Sequence, residues 1–156
     1  MSARLAGPAD VALLAALHAQ CFAEVWDEAA MASLLASAGT FAFIAEGEDG
    51  FVMLRAAAGE SEVLTLAVLP AARRRGIATS LLAAAAKHAA ELGATELFLE
   101  VDITNSPAIA LYKRLGFIQV GVRRGYYKGA AGPPRDAVVM RVEIPQLRVG
   151  IPMQLG

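Results

Sequence analysis

The chain has 156 residues, enough for one domain with a full core, and its 56% hydrophobic content against 19% charged excludes disorder throughout. A formal net charge of −1 gives no global field for nucleic acid or an anionic membrane, so neither is expected as a partner. The single cysteine, Cys21, permits no internal disulfide and no cysteine-based metal framework. The opening "MSARLAGPAD" lacks the apolar stretch of a signal peptide, and the run "LLAAAAKHAA" is short and carries Lys87. A soluble cytoplasmic protein is the expectation.

Taken in chain order, Pro8 and Asp10 precede "VALLAALHAQCF", residues 11–22, where Val11, Leu14, Ala15, His18 and Phe22 recur at helical spacing. A second helix is predicted over "DEAAMASLLASAG", with Asp27 as its start and Gly39 as its stop. "TFAFIAEG" and "GFVMLRAA" read as strands joined through "GEDG", a hairpin signal. "SEVLTLAVL" is a third strand that ends at Pro70. A long helix then runs to Gly93, its C-terminal cap, with Ile77, Leu81, Leu82, Ala85, Ala89 and Leu92 as an apolar stripe. His88 falls on the opposite, exposed side. Neither histidine has a companion that suggests a metal site, and no metal is expected.

"TELFLEV" is a strand, with Leu97, Leu99 and Val101 on one face and Glu96, Phe98 and Glu100 on the other. "NSPAIALYKRLGF" reads as a short helix with Ser106 as N-cap, Pro107 at its first position and Gly116 after its end. "FIQVGVRRGYY" and "RDAVVMRVEI" are two closing strands around the loop "KGAAGPP". The tail "QLRVGIPMQLG" has no clear pattern. The expected organisation is one domain over residues 1–145 followed by a tail over 146–156.

One local feature calls for explanation. Arg73, Arg74 and Arg75 stand directly before Gly76 and the long helix, where the helix dipole already places partial positive charge. Two readings fit. The turn is a solvated basic patch, its arginines paired with nearby carboxylates. Or it binds a polyanion, with arginine side chains, free backbone N–H groups and the close approach allowed by Gly76 acting together. It lacks the Lys-Ser/Thr ending of a nucleotide P-loop.

The segment Arg73-Arg74-Arg75-Gly76-Ile77-Ala78 resembles the acetyl-CoA signature of the GNAT acetyltransferase superfamily, Gln/Arg-x-x-Gly-x-Gly/Ala. It begins with Arg73 where glutamine is commoner and ends with Ala78 where glycine is commoner. "LEVDITNSPAIALYKRLGF" is similar to the second signature of that superfamily. With "RRGYY", "DAVVM" and the early "LHAQCFAEVW", the chain looks like the RimI type, the ribosomal-protein-alanine N-acetyltransferases, over roughly residues 4–145.

The resemblance implies an α/β fold: a mixed, mostly antiparallel sheet flanked by helices and splayed at the acetyl-CoA site. It implies acetyl-CoA as co-substrate. Leu66, Ala67 and Val68 would pair with the pantetheine arm, Arg74, Arg75, Gly76, Ile77, Ala78 and Thr79 would hold the pyrophosphate, and Asn105 would contact CoA. It also implies transfer to the N-terminal alanine of a ribosomal small-subunit protein, number eighteen. The same chemistry on a small amine or a lysine, and a non-catalytic acyl-CoA-binding module, remain alternatives.

Direct attack of an amine on a thioester has three needs: removal of the amine proton, a donor to the oxyanion, and a proton toward the leaving thiolate. Glu100 matches the family's general base and Tyr112 its general acid, and a backbone N–H near Val68 is the candidate oxyanion donor. Each has a plainer reading. Glu100 could be the partner of a lysine or arginine, Tyr112 an amphipathic packing residue, and Asn105 a cap or turn. Cys21 reads as packing rather than as an acyl-accepting nucleophile. Trp26, Arg123, Tyr126 and Tyr127 are candidates to line the acceptor groove, with a β-edge and aromatic packing as the other reading of the last three.

Overall fold

The computed structural model describes residues 2–127 and 135–149; the loop "KGAAGPP" and the side chains of Tyr126 and Tyr127 lie outside the described residues. The strands are β1 (Ala3–Leu5), β2 (Thr40–Ala45), β3 (Gly50–Ala57), β4 (Glu60–Val68), β5 (Glu96–Asp102), β6 (Ile118–Tyr127) and β7 (Arg135–Glu143). The helices are α1 (Val11–Cys21), α2 (Glu28–Ala36), α3 (Ile77–Glu91) and α4 (Ser106–Arg114). One sheet holds the strands in the order β1-β2-β3-β4-β5-β7-β6. Every neighbouring pair is antiparallel except β4 and β5. That parallel pair needs a crossover, which α3 supplies. This is the expected mixed, mostly antiparallel sheet flanked by helices.

Tight turns make the hairpins. Between β3 and β4, Ala58 and Gly59 both take positive φ, 54° and 82°, the geometry that matches strand twist in a two-residue connection. Their register holds Met53 opposite Thr65 and Leu54 opposite Val63, so Leu64 has no partner and forms a bulge. A bulge bends its strand and increases twist. The pairing of β4 with β5 covers only Glu60–Glu96, Ser61–Leu97 and Glu62–Phe98. It stops where the bulge begins, so β4 and β5 diverge into a wedge.

Two apolar layers cover the sheet. On one side Leu81, Leu82, Ala85, Ala86 and Ala89 of α3 pack on Val52, Leu54, Leu97, Leu99 and Met140. On the other, Leu14, Leu17 and Met31 from α1 and α2 pack on Ile44, Phe51, Met53 and Ala67. The small alanines let α3 lie close to the strands. Leu92, assigned to the stripe from spacing, is instead 55% exposed, because it caps α3 beyond its last full turn. Gly93 at φ 97° then closes the helix, with Gly93 N–H donating to Ala90 O and Ala94 N–H to Ala89 O, a Schellman arrangement. His88, expected on the exposed side, is half-buried with its ring edge-on to Phe41 and Phe43 of β2.

The strand β1 is an element that the sequence pattern did not suggest. It is held by Arg4, which donates to both carboxylate oxygens of Asp10 at 2.9 and 3.0 Å. At the other end of the chain, Ile144–Gln146 forms a short 3-10 turn, and Leu147 and Val149 pack against the α3-side core. Arg148 N–H donates to Leu115 O at 2.8 Å. A Cβ at Gly116, whose φ is 105°, would lie 2.9 Å from Gln146 O, so the packing of this segment requires glycine there.

Candidate active site

The wedge exposes one edge of β4. Leu69 N–H donates to Asp49 O at 2.9 Å, so these residues form a hydrogen-bonded pair with the β3 side. Antiparallel pairs alternate. The next pair, Gly50 with Val68, is therefore non-bonded, and the N–H and C=O of Val68 point away from β3 into the wedge. The same alternation turns the backbone of Leu66 into the wedge and that of Ala67 toward β3. Two donors meet at the Val68 carbonyl: Arg73 Nε at 2.9 Å and Cys21 Sγ at 3.5 Å. Arg73 thus folds back across the Pro70–Ala72 turn and ties the start of the arginine run to the end of β4.

The loop before α3 is conformationally unusual. Arg74 and Gly76 both lie in the left-handed region, at φ 67° and 77°. For Arg74 this costs roughly 1–2 kcal/mol. Strain of this kind persists where the surroundings impose it, and it clusters at ligand sites. Gly76 stands at the N-cap of α3 with no side chain to cap it. Among the described residues, the N–H groups of Ile77, Ala78 and Thr79 have no acceptor, and Arg74 and Arg75 are exposed beside them. An uncapped helix start flanked by arginines, next to backbone groups of β4 that face the wedge, is suited to an anion joined to an extended amide-bearing arm.

Alternation along β5 buries Leu97, Leu99 and Val101 toward α3 and turns Glu96, Phe98 and Glu100 to the opposite face. Glu100 stands opposite Val139 of β7, past the point where pairing with β4 ends. Its two carboxylate oxygens both accept from Arg123 Nη1, at 3.1 and 2.8 Å. This pair lies in a groove of about 540 Å³ whose lining also includes Arg55, Glu60, Glu62, Leu64 and Phe98. The base candidate therefore faces away from the α3 loop, and the wedge connects the two sides.

α4 follows β5 through a turn built on Asp102, whose carboxylate accepts from the Thr104 N–H at 2.9 Å and the Thr104 hydroxyl at 2.7 Å, and from Arg135 Nε. Burial works against the charged form of Asp102, but these donors hold its carboxyl below the usual carboxylate range. Asn105, not Ser106, caps the helix: its side chain accepts from Ala108 N–H at 3.3 Å. Tyr112 packs against the α3-side core, its ring 5.7 Å from that of Phe117. Glu100 and Tyr112 thus belong to opposite faces of the sheet.

Trp26 stacks on His18, with ring centroids 4.2 Å apart and planes 16° from parallel, at the joint between α1 and α2. His18 is 3% exposed, and among the described residues its Nδ1 has no hydrogen-bond partner. Tyr126 and Tyr127 end β6; their side chains lie outside the described residues. Sequence reasoning did not single out Arg73 as a strand tether, Asp102 as the turn anchor, or Leu64 as the bulge. The only local signal for the first was Pro70, which turns the chain back toward β4. Among the described residues no group of three or more His, Cys, Asp or Glu side chains is placed to hold a metal, and no helix is long and apolar enough to cross a membrane.

Comparison with known proteins fits this geometry. An N-alpha-acetyltransferase of Sulfurisphaera tokodaii is 51% identical over 69 residues, 44% of this chain and 41% of that enzyme. The [ribosomal protein bS18]-alanine N-acetyltransferase of Salmonella typhimurium is 36% identical over 94 residues, 60% of this chain and 63% of that enzyme. In both cases the match spans less than two thirds of the relative. The crystal structure of the ribosomal-protein-S18-alanine N-acetyltransferase from Escherichia coli superposes with a TM-score of 0.79 at 26% identity, covering 98% of this chain and 99% of that one. The model of the acetyltransferase (GNAT) family, whose members use acetyl-CoA, matches residues 11–117. That span takes in the wedge, the arginine loop, Glu100 and Tyr112, and the chain belongs to the acetyltransferase (GNAT) family.

Proposed function

We propose that this protein transfers the acetyl group of acetyl-CoA to the α-amino group of a protein N-terminus, by direct attack in a ternary complex. The observation that carries the reading is the wedge, with an anion-ready helix start on one side and Glu100 on the other. The residues present fit acetyl-CoA. Arg74, Arg75 and the backbone of Gly76, Ile77, Ala78 and Thr79 would receive the pyrophosphate, and along the edge Leu66–Ala67–Val68 the outward-turned Leu66 and Val68 would pair with the amide-bearing arm, Ala67 between them staying bonded toward β3. Asn105 would add a contact beside its capping role.

When bound, acetyl-CoA supplies an activated acyl carbon. Glu100 takes the proton of the attacking amine, directly or through one water. The Val68 N–H, aimed into the wedge, donates to the developing oxyanion. Tyr112, on the donor side of the sheet, donates toward the sulfur. A phenol has an ordinary pKa near 10, so its part is mainly hydrogen bonding. Trp26, Arg123, Tyr126 and Tyr127 border the acceptor.

An α-amino group, with an ordinary pKa near 8, asks less of a carboxylate base than a lysine amine near 10. The acceptor proposed is the N-terminal alanine of a ribosomal small-subunit protein, the reading supported by the likeness to the S18-alanine enzymes. The domain is proposed over residues 1–145, with 146–156 as a tail whose first residues, Leu147 and Val149, pack back on the core. A panel of peptides differing only in their first residues, run beside a lysine-containing peptide with a blocked N-terminus and small amines, tests the proposal. Alanine-starting peptides should be acetylated at the α-amine with the highest kcat/KM. Preferential acetylation of the lysine or the small amines would contradict it.

A further inference from the structure

Arg123 occupies the bridging position on Glu100, the position an acceptor ammonium would take if Glu100 is the base. One guanidinium nitrogen bridges both oxygens of Glu100, at 3.1 and 2.8 Å. A carboxylate has about four lone-pair sites, and Arg123 takes the position that bridges the two oxygens, so an ammonium that is to meet both oxygens at short range competes with it there. The two cations compete for the same pair of oxygens, and an α-ammonium is the more compact. The side chains are unequally exposed: Glu100 is 26% exposed on β5, and Arg123 is 57% exposed on β6. Among the described residues β6 pairs only with β7 and so lies at the sheet edge, and the Arg123–Glu100 pair closes one part of an open groove of about 540 Å³. The guanidinium therefore has solvent to move into, while Glu100, less exposed, sits on a strand paired to β7 at Val139.

We propose that Arg123 is a displaceable gate on Glu100, shielding the carboxylate when no acceptor is bound and yielding it to the acceptor's ammonium. This rests on the acetyltransferase reading above and makes Arg123 a positioning residue, acting through Glu100. A different arrangement, in which Arg123 grips the acceptor peptide itself, predicts the opposite kinetic sign.

The test combines kinetics with the arginine side-chain resonances of isotope-labelled protein, using an alanine-starting peptide as the probe. In Arg123→Ala the peptide KM should fall on the order of 2- to 5-fold, the size of a partly exposed ion pair. Arg123→Lys should fall in between, the KM for acetyl-CoA should not change, and the effect on peptide affinity should vanish in a Glu100→Gln background. Peptide added to the wild type should move the Arg123 Nε–H resonance toward its position in Glu100→Gln. A raised peptide KM in Arg123→Ala, or peptide binding that leaves the resonance in place, overturns the gate. If the peptide binds and displaces Arg123 but no acetyl group moves, the gate stands and the acetyltransferase reading fails. If no such peptide binds, both fail.

Discussion

Glu100 and Tyr112 divide the proposed proton traffic between two faces of one sheet, and their variants separate chemistry from architecture. Glu100→Gln keeps the shape and removes the basicity, and turnover near neutral pH should drop about 100-fold or more. Raising the pH should partly restore it, because the free-amine fraction then grows without help. Its melting temperature should scarcely change, since the lost ion pair with Arg123 is partly exposed. Tyr112→Phe should lower turnover and leave CoA affinity nearly intact. Normal pH–rate profiles in both variants would show that these residues only pack. Gly76 makes a second prediction. Among the described residues, none beyond its chain neighbours has an atom within 4 Å of where its Cβ would be, so a side chain there meets strain from φ 77°. Gly76→Ala should cost about 1 kcal/mol of stability, and Gly76→Val should also block close approach of the pyrophosphate. Calorimetry that finds unchanged CoA affinity in Gly76→Val would remove the loop from the site.

At the scale of elements, α4 hangs from the turn held by Asp102 and from the cap at Asn105. Asn105→Ala should destabilise by about 1 kcal/mol. Asn105→Asp keeps the acceptor for Ala108 N–H but replaces the amide donor with negative charge, so stability should hold while CoA affinity falls. Equal CoA affinity in Asn105→Asp and wild type, by calorimetry, would reduce Asn105 to a cap. The elements also show what a sequence can reveal. α3 and β5 were legible because each buries one face, and their periods of about 3.6 and 2 stand in the residues themselves. The cap was displaced by one position because Asn105 and Ser106 both suit it. β1 was missed because three residues, one of them the charged Arg4, carry no period. The bulge at Leu64 was not legible, since no glycine or proline marks it and it exists only as a register shift against β3. The Arg123–Glu100 pair spans 23 residues and depends on β7 entering between β5 and β6, a long-range fact without local trace.

For the whole molecule, acid stability has two separable steps. His18 is buried against Phe22 and Trp26, and that burial pushes its pKa down, against a small opposing effect of Glu24. The unfolded chain then takes up the proton first. The stability associated with neutral His18 is complete above its ordinary value of 6.5 and is lost as pH falls below it. Asp102 acts later, its contribution present above the ordinary 3.8 and lost as pH falls through its lower folded value. In melting curves against pH, His18→Phe should remove the first decline and leave the second. An unchanged first decline would place it elsewhere. The central claim is that the wedge between β4 and β5, with the arginine loop beside it, receives the acetyl donor. It is tested most directly by an amide-resolved NMR titration of the wild-type protein with CoA. The amides of Leu66, Val68 and Arg74 through Thr79 should move together and saturate at one affinity that weakens with salt, while Ala67, bonded toward β3, moves less. Saturable changes that spare these amides and gather in another part of the sheet would contradict it.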